Sequence, residues 1–140
     1  KYNEYEDGSL RRKIDLKMSG QDVFNYVVQS VSKIIDEFIS KNDINKEDID
    51  YLLFHQANHF MLRQLVRKLK IPLEKMPISL DKYGNTSSAS IPLNICSELK
   101  NVIKNKNDHN VLIPGFGAGL STGIVFSKLY SDTYLNLIEI

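Results

Sequence analysis

One cysteine, Cys96, stands alone in 140 residues, so an internal disulfide and a cysteine-rich zinc cluster are both excluded. So little cysteine fits an intracellular setting, where thiols stay reduced. Charge of one sign is also lacking. Eighteen basic residues against 17 acidic ones leave a net charge of +1, which points to no nucleic-acid partner. No apolar run approaches the ~18 residues that a membrane span needs, and the first residues carry no signal-peptide pattern. Repeats and low-complexity tracts are missing. So is an initiating methionine: the chain opens at Lys1, as expected of an excised or processed piece. What is present is ordinary globular material. Hydrophobic residues make up 42% and charged residues 25%, over a length that suits one domain with its own core.

Residues 1 to 17 are charged and aperiodic and read as an entry segment. Val23, Phe24, Val27, Val28, Val31, Ile34, Ile35 and Phe38 then recur at helical spacing, which predicts one amphipathic helix over residues 20 to 40. IDYLLF, residues 49 to 54, has strand length. A second helical period runs over residues 57 to 70 and should stop at Pro72. MPISL, residues 76 to 80, predicts a short strand. The following DKYGNTSSAS is rich in turn residues, and one of its serines can cap a helix from about 88 to 104 whose apolar face is Leu93, Cys96, Leu99 and Ile103. Residues 110 to 114 read as a strand, GFGAGLSTG as a flexible loop, and GIVFSKLY as a strand pairing back. This alternation predicts an α/β fold on a mixed, mainly parallel sheet.

Three of these strands end in small or polar residues: HQAN after YLLF, YGNTSSAS after ISL, and GFGAG after VLIP. Loops at the carboxyl ends of strands build the sites of α/β sheets. His55, Asn85 and the Gly117–Ala118–Gly119 backbone are therefore expected at one edge. A neutral imidazole offers one N–H donor and a carboxamide two. Donors converging on one point stabilise an oxygen that gains negative charge, and glycine lets backbone N–H groups approach without obstruction. The set suits an enolate or a tetrahedral oxyanion. It does not suit hydrolysis by an internal nucleophile, since no serine or cysteine has a convincing base beside it.

FHQAN, DKYGNTSSASIP and GFGAGLSTG, in this order and with thirty residues from His55 to Asn85, resemble the carboxyl-terminal half of β-ketoacyl-acyl carrier protein synthase III, a thiolase-superfamily condensing enzyme. The resemblance runs from about Gly20 to Leu129. It implies a thiolase-like fold, with residues 1 to 19 crossing from an amino-terminal half and residues 20 to 140 forming the domain. It implies decarboxylative Claisen condensation of an acyl thioester with malonyl-acyl carrier protein, in the cytoplasm. His55 and Asn85 would complete a Cys-His-Asn triad and hold the malonyl thioester carbonyl. The Gly117–Gly119 backbone would help form the oxyanion hole, and Asn58 would support the loop around His55. Acyl carrier protein and acyl-coenzyme A are the implied partners, with a homodimer at full length. No metal or cofactor is implied, since coenzyme A and phosphopantetheine enter only within substrates.

The family's nucleophilic cysteine belongs to the other half and has no counterpart here. Cys96 reads as a core residue, because a buried thiol without a positive neighbour keeps its proton. The chain alone is therefore expected to be inactive. Thr122 stands where the family often carries tryptophan, which keeps a specialised starter open as an alternative, beside a non-catalytic partner half. Arg63, Arg67, Lys68 and Lys70 line one helix side. Such a run is commonly a solvated face. In the family this helix meets the acidic carrier protein, and Arg67 and Lys68 occupy matching positions.

Two other patterns fail on chemistry. His55 and His59 have the spacing of H-E-x-x-H, but Gln56 cannot serve as the general base and His55 closes a strand. His59 is expected exposed at a helix start and His109 in a solvated loop. GFGAG looks like a dinucleotide loop, yet it leads into a β-like run instead of a helix.

Overall fold

The computed structural model describes residues 2–6, 8–12, 18–103 and 108–133. Strands β1 (Tyr2–Glu4) and β2 (Leu10–Arg12) pair as an antiparallel hairpin within the entry segment. Residues 13 to 17 of that segment lie outside the described ones.

The expected first helix is present, but it is not uniform. It runs as α1 (Gly20–Asn25), a π-helical stretch at Tyr26–Val31, and α2 (Ser32–Lys41). Ser19 starts it, its side chain accepting from the Asp22 N–H. The π stretch has a cause in the sequence. Val27, Val31, Ile35 and Ile39 are the buried apolar residues, four apart at each step. A repeat of four exceeds the 3.6 residues of an α-turn, so the stripe would drift off the core. A turn with i→i+5 bonding takes up the excess. The same shift leaves Ile34 exposed, against the expected apolar face, and buries Ile39.

The mixed α/β sheet also holds. Strand β3 (Tyr51–Leu52) lies parallel to β4 (His109–Gly117), and β4 is antiparallel to β5 (Ser121–Leu129) over nine paired positions. Alternation along the strands fills both faces. Leu52 and Leu112 turn to one face and join Val31 of the π stretch, Ile35 of α2, and Leu62 and Leu65 of α3 (His59–Leu69). Leu53 and Val111 turn to the other and meet Leu99 and Ile103. Each such side chain gains about 1.5–3 kcal/mol by leaving water. Helix α3 is capped by Asn58, whose Oδ1 accepts from Met61 N–H at 3.2 Å. It closes at Lys70 in the left-handed region (φ 55°), two residues before the proline expected to stop it.

Four local expectations are corrected. Residues 76 to 80 form no strand; a 3-10 turn (Leu73–Lys75) leads to the short helix α4 (Leu80–Tyr83). Pro77 has no N–H to give a ladder. The helix expected over 88 to 104 is broken into a 3-10 turn at Ser87–Ala89, α5 (Ser90–Glu98) and α6 (Lys100–Ile103). No serine caps α5: its N-cap is Ala89. Last, GFGAGLSTG is no flexible loop. Gly115, Phe116 and Gly117 belong to β4, and only residues 118 to 120 make the turn into β5. Gly119 sits there at φ 132°, where a Cβ would meet Ser121 N at 3.2 Å, so glycine is required.

Candidate functional site

His55 is delivered by hydrogen bonding that continues past the β3 ladder. Leu53 N–H donates to Leu112 O at 2.9 Å and His55 N–H to Pro114 O at 3.4 Å. The chain then turns away, with Ala57 N–H donating back to His55 O at 2.9 Å. The imidazole is half-buried. The Phe116 ring packs edge-on against it, centroids 5.7 Å apart at 78°. Its Nδ1 lies 2.7 Å from the hydroxyl of Ser90, the first residue of α5. Burial lowers the His55 pKa below its ordinary value, and hydrogen bonding with the Ser87 backbone acts against that shift. The ring is therefore biased to its neutral form.

The second loop reaches the same place. Helix α4 ends at Gly84 (φ 66°) and the chain turns sharply through Asn85 to Ser87. Asn85 Oδ1 accepts from Ser87 N–H at 2.9 Å, an Asx-type turn that fixes the carboxamide. Asn85 is exposed, and its N–H2 group makes no hydrogen bond among the described residues. Ser87 thus joins the two residues: its N–H holds Asn85, and its backbone faces the His55 ring.

Beneath them lies a buried polar layer that the sequence reading missed. Gln56, Asn94, Ser90 and Ser79 are between 0% and 2% exposed. Gln56 Nε2 donates to Phe54 O at 3.1 Å, and its Oε1 accepts from Ser79 N–H at 3.2 Å. Asn94 Nδ2 donates to Ser79 Oγ and to Pro77 O, each at 3.2 Å. Ser90 and Asn94 stand four apart, on one side of α5. The signal was available, since two polar residues at helical spacing follow the turn, but a polar stripe reads as solvent-facing.

The remaining expected residues fall as follows. Gly117 ends β4 opposite Ser121, while Ala118 and Gly119 lie in the exposed turn, where Ser121 Oγ donates to Ala118 O at 2.8 Å. Phe116, directly before Gly117, ties this hairpin to His55. Arg63, Arg67, Lys68 and Lys70 are all exposed on or just after α3, opposite the buried Leu62, Leu65, Val66 and Leu69. His59 is half-buried rather than exposed, with Nε2 2.8 Å from Asp81 Oδ1. His109 begins β4 instead of sitting in a solvated loop, against the Tyr51 ring at 5.4 Å. Cys96 and Leu93 are half-buried; Leu99 and Ile103 form the buried apolar contact. Among the described residues no cluster of His, Cys, Asp and Glu is arranged to hold a metal, and no helix is long and apolar enough to cross a membrane.

Solved structures share this fold. A 3-oxoacyl-(acyl-carrier protein) synthase from Burkholderia xenovorans LB400 superposes with a TM-score of 0.78 at 36% identity, over 87% of this chain and 34% of that one. The priming β-ketosynthase of the R1128 polyketide pathway gives 0.70 at 29% identity, over 81% of this chain and 34% of that one. The fold is that of the thiolase-like condensing enzymes. Residues 39–129 match the family model described as 3-oxoacyl-[acyl-carrier-protein (ACP)] synthase III C terminal, and the chain belongs to that family. A β-ketoacyl-[acyl-carrier-protein] synthase III from Streptococcus mutans is 42% identical over 115 residues, which are 81% of this chain and 35% of the relative. The chain thus spans about a third of the length of the curated relatives it matches.

Proposed function

We propose that this chain is the carboxyl-terminal part of a β-ketoacyl-acyl carrier protein synthase III, which extends an acyl thioester by decarboxylative condensation with malonyl-acyl carrier protein. The observation that supports the reading is Ser87, whose N–H donates to Asn85 Oδ1 and whose backbone hydrogen-bonds with the neutral-biased His55 ring. Both donors point their chemistry at one thioester oxygen. As the malonyl C–C bond breaks and carbon dioxide leaves, its electron pair moves toward that carbonyl as an enolate. Two uncharged donors in a partly dry site stabilise the charge as it forms. The enolate carbon then attacks an acyl group carried on a cysteine of the other half. The backbone at Gly117, Ala118 and Gly119 serves the oxyanion of that second step, and Asn58 holds the start of α3 after the His55 loop.

Residues 1 to 19 act as the crossing segment, residues 20 to 140 as the domain. The active form is a cytoplasmic homodimer of the full-length protein, the chain alone being inactive for want of the nucleophile. Acyl-coenzyme A supplies the starter, and Arg63, Arg67 and Lys68 receive the acidic carrier protein through a local positive surface. The donors supply the stabilisation that the reaction needs, so no resident cofactor is required. In the full-length protein, His55→Ala or Asn85→Ala is expected to slow malonyl-acyl carrier protein decarboxylation about a hundred- to a thousandfold. Acyl loading, followed by radiolabel transfer to the cysteine, should persist. Near-native decarboxylation in both variants would overturn the assignment.

A second reading, the same chemistry with a specialised starter, is favoured by one contact. Thr122 Oγ1 is engaged by the Tyr26 hydroxyl at 2.8 Å, on the hairpin strand opposite Phe116. Rates across a panel of acyl-coenzyme A starters separate the two readings.

A further inference from the structure

Ser90 makes an arrangement that its place in the helix does not call for. It opens α5, where a serine ordinarily bonds to its own helix, yet its hydroxyl reaches across to the end of β3. Two contacts meet at this oxygen. The Gln56 backbone N–H donates to it at 3.2 Å, and His55 Nδ1 lies 2.7 Å away. Ser90 is 1% exposed, so bulk solvent does not reach its hydroxyl.

The proton count then decides the chemistry. A hydroxyl has one hydrogen and two lone pairs. One lone pair takes the Gln56 N–H. If Nδ1 also carried a hydrogen, the second lone pair would take it, and the buried Ser90 hydrogen would have no acceptor among its contacts. Buried donors are almost always paired. With Nδ1 unprotonated, all three groups are satisfied. A neutral imidazole whose Nδ1 accepts must carry its hydrogen on Nε2. The position of Ser90 at the first turn of α5 acts in the same direction, because the positive end of a helix disfavours a charged ring beside it.

We infer that Ser90 is a positioning residue that fixes the His55 hydrogen on Nε2 by donating its own hydroxyl hydrogen to Nδ1. It touches no substrate; it presets the tautomer. The inference rests on the proposed role of His55 as a neutral donor, since only a ring with its hydrogen on the substrate side stabilises an oxygen there. Gln56 enters as the group that occupies the competing lone pair. Its buried amide, fastened to Phe54 O and Ser79 N–H, keeps that backbone N–H in place.

The test uses the full-length protein, labelled with ¹⁵N-histidine and assigned through a His55→Gln control. Wild type is expected to show an unprotonated Nδ1 and a protonated Nε2 at neutral pH. Ser90→Ala should give mixed tautomers at His55 and lower kcat for malonyl-acyl carrier protein decarboxylation on the order of ten- to a hundredfold, as loss of a ring-orienting partner does. Its KM should change little, and Ser90→Thr should restore both readouts. A hydrogen on Nδ1 in the wild type overturns the inference even if Ser90→Ala fails to fold. So does a folded Ser90→Ala that keeps the wild-type tautomer. Native decarboxylation by His55→Ala would instead sink the reading of the site, and leaves the tautomer result standing by itself.

Discussion

The two faces of the strand pair β3 and β4 are covered in opposite ways. Toward α2 and α3, Leu52 and Leu112 join an apolar cluster of Val31, Ile35, Leu62, Leu65 and their neighbours. Toward α5, the apolar contact of Leu53 and Val111 with Leu99 and Ile103 is bordered by Gln56, Ser79, Ser90 and Asn94, buried and joined by hydrogen bonds. Hydrophobic burial is non-directional, so the first face supplies stability without fixing any atom closely. Hydrogen bonds demand distance and angle. The second face therefore positions, and the groups it positions are His55 and the turn holding Asn85.

Substitutions that separate stability from position break this comparison if it is wrong. The largest effect belongs to the apolar face. Leu62→Ala, at a fully buried site, should cost about 2–5 kcal/mol in chemical denaturation. The folded fraction of the full-length protein should keep its decarboxylation rate per molecule. Gln56→Leu is expected to cost less, about 1–3 kcal/mol, since it leaves Ser79 N–H and Phe54 C=O without their partner. It should nevertheless lower the rate of the folded enzyme. If Leu62→Ala slows folded enzyme more than Gln56→Leu does, the division of labour fails. The smallest effect is in pH. The folded-state pKa of His55 lies below its ordinary 6.5, so the unfolded chain binds its proton first. Its contribution to stability is constant above about pH 6.5 and declines as pH falls through that value toward the folded pKa. Urea midpoints on either side should show this slope, and His55→Gln should flatten it.

The same contrast explains what the sequence made legible. The apolar face announced itself through periodicity: the helix from Gly20 and the helix ending at Leu69 stand where spacing put them, and IDYLLF holds a strand, though only at Tyr51–Leu52. His55 and Asn85 drew notice because each follows an apolar run and lies among turn residues. The polar layer was not found, because Ser90 and Asn94 are residues whose composition predicts a surface. Their burial depends on meeting Gln56 and Ser79 from elsewhere in the chain, which no local pattern records. Met76 to Leu80 misled for a related reason. Its apolar side chains fit a strand, but a strand exists only where a neighbour offers a ladder. GFGAGLSTG misled in the other direction: its glycines suggested looseness, whereas pairing with β5 holds three of them in a regular hairpin.

The wide turn at Tyr26–Val31 has a further consequence. A helix advances about 100° per residue. Were the six residues to relax to an ordinary α pitch with none removed, everything from Ser19 to Asn25 would swing round by about that angle relative to α2. Phe24 would leave the Phe60 ring it stacks on, and the phenol at position 26 would lose its hold on the hairpin beside the imidazole. The irregular turn thus aligns the front of the helix with the hairpin beside His55, by taking one surplus residue into its girth instead of into a rotation of everything before it.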